Sequence, residues 1–116
     1  MREIEDLLQN LTILTDFSFK YALDEDAHTA KIWITITFQG GGRLDIFEFA
    51  TYETGNVIVQ KYRYNFIIRD KLIRWDNAPH HKGLASFPHH IHINDGVYET
   101  KKLNLKEVLE YLKKHI

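Results

Sequence analysis

The sequence predicts an α+β fold: one domain over residues 1–116, with an antiparallel β-meander of about five strands packed by N- and C-terminal helices. Three observations lead there. Residues AKIWITITFQ alternate between Ile32, Ile34, Ile36, Phe38 and Trp33, Thr35, Thr37, the period of a half-buried strand. Turn signals recur between further runs of β-branched and aromatic residues. Amphipathic stripes with helical spacing stand at both ends of the chain.

The elements follow in order. Ile4, Leu7, Leu8 and Leu11 recur every three or four positions, and Glu3, Glu5 and Asp6 lie where a helix N-terminus favours anions. From Phe17 the period changes to two, first in FSFKYAL and then in AKIWITITFQ. Gly40, Gly41 and Gly42 interrupt before RLDIFEFATYE. In this third strand Glu48 is ambiguous. It faces inward if Leu44 and Ile46 define the core side, and outward if Phe47 and Phe49 do. After the turn at Thr54, Gly55 and Asn56, NVIVQKYRYNFIIRD and KLIRWDN make two strands joined around Arg69, Asp70 and Lys71. Tyr62, Tyr64 and Phe66 share one face of the fourth strand, either core or a homodimer surface, and Lys61, Arg63 and Asn65 share the other. On the next strand Arg74 and Asp76 lie opposite Trp75 and Asn77. At the C-terminal end, Asn104 and Glu107 have capping-box spacing, and Leu105, Val108, Leu109, Leu112 and Ile116 form the stripe of a helix. Lys113, Lys114 and His115 suit its C-terminal end.

Composition narrows the chemistry. With 116 residues, 44% of them hydrophobic, the chain can build one core but not two ordinary ones. It has no cysteine, which excludes disulfides, thiolate metal sites and cysteine nucleophiles. MREIEDLLQN lacks the basic start and apolar run of a secretory signal, and no segment approaches the roughly 18 apolar residues of a membrane span. The expected location is the cytoplasm, with no membrane partner. The formal net charge of −1 conceals a polarity, because residues 1–56 hold four Lys/Arg against ten Asp/Glu, and residues 57–116 hold eleven against six.

The densest chemical signal is WDNAPHHKGLASFPHHIHIND. Five of the seven histidines, His80, His81, His89, His90 and His92, fall within it, flanked by Asp76, Asn77 and Asp95. Pro79 and Pro88 constrain the backbone ahead of each His-His pair, and Gly83 lets the bridge between them turn. Three readings are open. His90 and His92, two apart on a strand, can ligate a divalent metal such as zinc, with His80, His81, Asp76 or Asp95 completing the shell. Alternatively, two of the histidines act as general acid and base on an RNA phosphodiester with no cofactor, while Arg63 and Arg74 hold the phosphate. Tyr62 or Tyr64 would then stack on a base, and Asp76 and Asn77 would complete the catalytic and substrate-binding sets. In the third reading the histidines are structural, or form a surface for a partner protein. His28 and His115 are taken as surface residues.

RWDNAPHH (Arg74 to His81), then FPHH-x-H (Phe87 to His92), with YRY (Tyr62 to Tyr64) before and an amphipathic helix after, resembles the TumE family. The match is strongest from Arg63 to Asp95, and departs from the family pattern where Arg69, Asp70 and Lys71 replace an Asp-Gly turn. The resemblance implies a prokaryotic toxin held in check by a cognate helix-turn-helix antitoxin, TumA. By analogy with other small toxins it implies RNA cleavage, and the positions that match the family motif are Arg74, Asp76, Asn77, Pro79, His80, His81, Pro88, His89, His90 and His92. Residues 57–82 hold six Lys/Arg against Asp70 and Asp76, placing positive charge beside the histidines.

Overall fold

Strict alternation produces the strands it predicts. In the computed structural model, which describes residues 14–115, these are β1 (Leu14–Asp24), β2 (Thr29–Phe38), β3 (Arg43–Glu53), β4 (Asn56–Ile68) and β5 (Lys71–Asp76). Two further strands, β6 (His90–Ile93) and β7 (Gly96–Glu99), precede helix α1 (Leu105–His115). All pair antiparallel with their sequence neighbours, so the sheet has seven strands in the order β1 to β7. The expected five-strand meander is therefore two strands too short. HIHI and GVYE are only four residues each, and the turn between them was hidden inside the histidine segment. Asn94 enters it with φ 52°, a left-handed conformation that asparagine tolerates. The N-terminal helix expected around Leu7 lies outside the described residues.

One face of the sheet is the core. Ile32, Ile34, Ile36 and Phe38 of β2 meet Leu44 and Ile46 of β3, Tyr62, Tyr64 and Phe66 of β4, and Ile73 and Trp75 of β5. Helix α1 closes this face with Leu105, Val108, Leu109 and Leu112, and Tyr111 meets Trp75 edge to face. Its capping box forms as expected, with Asn104 Oδ1 accepting from the Glu107 amide at 2.9 Å and Glu107 Oε1 accepting from the Asn104 amide at 3.2 Å. Tyr62, Tyr64 and Phe66 are thus core, not a dimer surface.

The same register settles Glu48, which pairs with Tyr62 and points into the core beside Leu44, Ile46 and Ala50. Tyr64 donates its hydroxyl proton to Glu48 Oε2. Burial raises the Glu48 carboxyl above its ordinary range, against the opposing effect of that hydrogen bond. A carboxyl raised in the folded state holds its proton more tightly than in the unfolded chain. Its contribution is therefore most favourable below the unfolded value and declines as pH rises through the folded one. Denaturant unfolding of Glu48→Gln across this range should decline less with pH than wild type. An equally steep decline would place the titration elsewhere.

Candidate functional site

The opposite face of the sheet carries the chemistry. Cross-strand register aligns Lys20, Trp33, Phe47, Arg63, Asp76 and His90 in one row, from β1 to β6. The next row holds Thr35, Asp45, Asn65, Arg74 and His92. Because side chains alternate along β6, His90 and His92 share this face and Ile91 points to the core.

Residues 77–89 fold back over the sheet in successive turns and bring His81 onto the strand histidines. The His81 ring lies 4.8 Å from that of His90 and 5.6 Å from that of His92, nearly perpendicular to both. Several bonds fasten the segment. Ser86 Oγ donates to the His89 carbonyl at 2.6 Å and accepts from the Thr100 amide at 3.2 Å, and Glu99 accepts from the Ala85 amide at 3.2 Å. The Phe87–Pro88 peptide is cis.

Asp76 organises the centre. It is 6% exposed, and its Oδ1 accepts from the Ala78 amide at 3.0 Å and lies 2.8 Å from His90 Nε2. The other nitrogen of His90, Nδ1, is 3.0 Å from the Pro88 carbonyl. Both nitrogens of this buried ring thus face oxygens, which fixes its orientation. Asp76 Oδ2 lies 3.2 Å from Arg74 Nε and 3.6 Å from His92 Nε2. The Arg74 Nε–H is ion-paired by distance, yet has no hydrogen-bond acceptor among the described residues.

His92 is placed differently. Its Nε2 is 3.4 Å from Arg74 Nη2, and since a guanidinium only donates, Nε2 is the accepting nitrogen of that contact. Burial, reinforced by Arg74, lowers its pKa below the ordinary histidine value, with Asp76 opposing. His92 is therefore a neutral imidazole at neutral pH, suited to take a proton or bind a metal.

Not every candidate joins this centre. His89 points to the core side, where its ring stacks on Tyr62 and its Nδ1 lies 2.8 Å from the Tyr62 hydroxyl. Burial lowers its pKa, with Lys102 and His90 adding to the effect. His80 is exposed at the rim, so the third imidazole of the cluster is His81. Tyr62 and Tyr64, at 3% and 1% exposed, stack on each other inside the core and offer no open ring to a base. Asn77 is occupied with holding β4, accepting from the Tyr62 amide at 3.0 Å and donating to the Gln60 carbonyl at 2.9 Å. Asp95, in the β6–β7 turn, is exposed and stands apart from the clustered histidines.

Around the centre lies an open cleft of about 770 Å³, lined by Phe47, Lys61, Arg63, Arg74, His80 and the three clustered histidines among others. Phe47 and Lys61 were not foreseen as site residues. The signal was available, because pairing β3 with β4 places Phe47 beside Arg63. The ligand nitrogens of His81, His90 and His92 all lie within 4.8 Å of one another, which also suits imidazole coordination of a divalent ion.

A family model described as Toxin TumE matches residues 4–116. No curated protein and no solved structure gives a significant match.

Proposed function

The chain belongs to the toxin TumE family, the toxin half of a toxin–antitoxin pair, and from that premise we propose that it is an acid–base ribonuclease. The observation that carries this reading is the convergence of a part-exposed His92, a second imidazole at His81, and two arginines on one cleft. RNA supplies its own nucleophile, the 2′-hydroxyl. His92 takes the proton of that hydroxyl as its oxygen attacks the adjacent phosphorus, and His81 gives a proton to the departing 5′-oxygen. The products are a 2′,3′-cyclic phosphate and a 5′-hydroxyl end. Arg74 and Arg63 stabilise the charge gathering on the phosphoryl oxygens, and Asp76 and the buried His90 hold Arg74 and the imidazoles in place. The family's antitoxin partner would act by occluding this cleft or by binding elsewhere.

A second reading has its own support. His90 Nδ1 faces a backbone carbonyl, the arrangement that directs the other ring nitrogen of a metal-bound histidine toward its ion. In that reading His81, His90 and His92, with Asp76, hold a divalent metal that activates water against the phosphodiester.

One experiment separates these. Induction of the chain without its antitoxin should arrest growth, and RNA from the arrested cells should carry new ends that persist when the purified protein is assayed with chelator. Loss of cleavage with chelator, and its return with zinc, would favour the metal reading. Growth arrest with intact RNA would sink both.

A further inference from the structure

Beyond the cleft, the site face of β2 and β3 carries large aromatic side chains on the side of the sheet that α1 does not cover. Trp33 is 37% exposed, and its ring lies 5.8 Å from that of Phe47, which lines the cleft. Phe49 lies on the same face of β3, two residues on. A sheet face needing only solubility would carry threonines here, as β2 does at Thr35 and Thr37.

Cations surround these rings. Lys20 holds its ammonium 5.4 Å from the Trp33 ring centroid, and Lys61 holds its own 5.9 Å from that of Phe49. Lys31, paired with Phe49, and Arg63, paired with Phe47, complete the border, and both are exposed. Among the described residues no ion pair engages Lys20, Lys31, Lys61 or Arg63. Of the carboxylates on this face, Asp45 is taken up by Arg43 at 3.0 Å and by the Thr35 hydroxyl at 3.0 Å, Asp76 faces Arg74 and His90, and Asp16, Asp24 and Glu53 lie toward the strand ends. The surface thus alternates π-faces with positive charge that no carboxylate of the described residues engages.

We infer that Trp33 and Phe47 form a stacking platform for single-stranded RNA, with Lys20, Lys31, Lys61 and Arg63 tracking its phosphates into the histidine cleft. This rests on the ribonuclease reading for the cleft, but the binding it describes is independent of cleavage. The register supports it, because Trp33 and Phe47 lie in the same cross-strand row as Arg63, Asp76 and His90. From β2 to β6 is four strand spacings, about 19 Å, enough for a few nucleotides to run from the platform to the cleft. Bases stack on aromatic faces whatever their identity, so the platform favours unpaired RNA with little sequence preference, whereas a duplex hides its base faces. Charge complementarity selects a polyanion over an apolar protein surface.

The test uses the full chain, with chelator present, and a fluorescein-labelled oligouridine methylated at its 2′-oxygens, which lacks the 2′-hydroxyl nucleophile of the acid–base reaction. Fluorescence anisotropy should show binding that weakens with salt. Trp33→Ala and Phe47→Ala should each weaken it roughly 5- to 150-fold, the range covered by one lost base stack. Trp33→Phe, which keeps a ring, should recover most of the affinity. Lys20→Gln and Lys31→Gln should flatten the salt dependence. Circular dichroism of the exposed-ring variants should match wild type. The inference fails if wild type does not bind the oligonucleotide, if folded Trp33→Ala and Phe47→Ala bind as wild type does, or if a duplex binds equally well. It also fails if the platform variants lose only antitoxin binding, which would make this face a protein interface. Binding by the platform without cleavage of ordinary RNA would instead retain this inference and remove the ribonuclease.

Discussion

Replacing His92 with alanine should lower RNA cleavage by about 10²- to 10⁴-fold, the usual contribution of one positioned acid or base, and abolish growth arrest. His92 sits near the end of a short strand, and its ring faces the cleft, not the hydrophobic core. Its removal should therefore leave the fold standing, with matching circular dichroism and a similar unfolding midpoint. The pH profile gives a second check. Because burial and Arg74 lower the His92 pKa, the acid limb of cleavage should fall below the ordinary histidine value near 6.5. The same shift has a stability sign: the folded protein binds this proton less readily than the unfolded chain, so the contribution is present above the unfolded value and lost as pH falls through the lowered one. By contrast, His89→Ala should spare cleavage, since that ring faces the core side and bonds Tyr62. A folded His92→Ala that still cleaves at the wild-type rate would remove His92 from the reaction. A His89→Ala that abolishes cleavage without unfolding would relocate it.

Much of this architecture is legible without coordinates, and the exceptions share a cause. β2 and β3 follow from strict alternation, and α1 from its stripe and capping box, because each signal is local. Glu48 is ambiguous in the sequence because alternation fixes which residues share a face, while the facing strand fixes which face is buried. Only its pairing with Tyr62 and its bond to Tyr64 decide that. The histidine cluster was likewise visible as a clump, but composition cannot sort its members. His81 enters because residues 77–89 fold back onto the sheet, a tertiary event. His89 leaves because one step along an extended chain turns a side chain to the other face. Tyr62 and Tyr64 are core although their type suits stacking, while the exposed Trp33 and the half-buried Phe47 lie together on the opposite face. The HIHI and GVYE hairpin carried a usable sign, an Asn-Asp-Gly turn between two short alternating runs.

Replacing Asp76 with alanine should damage both stability and cleavage, which distinguishes it from His92. One carboxylate here accepts the Ala78 amide, holds His90 at 2.8 Å and faces Arg74 at 3.2 Å, with its side chain only 9% exposed. Deleting it leaves the Ala78 N–H without its acceptor, strips Arg74 of its counter-charge and removes the oxygen that His90 Nε2 faces. Removing one member of a buried charge pair typically costs about 3–5 kcal/mol. The lower part of that range is expected, because the Arg74 side chain is 36% exposed and water screens part of the loss. Asp76→Asn keeps an oxygen for the Ala78 amide, so it should recover part of the stability while cleavage stays low, since its neutral amide cannot hold Arg74. Urea unfolding and cleavage assays on the two variants decide this. If Asp76→Ala unfolds within about 0.5 kcal/mol of wild type, the scale of an ordinary surface change, the carboxylate is not the anchor of the site. If Asp76→Asn cleaves as wild type does, its charge plays no part in the chemistry, and the convergence of Arg74, His90 and His92 on one carboxylate is a packing arrangement alone.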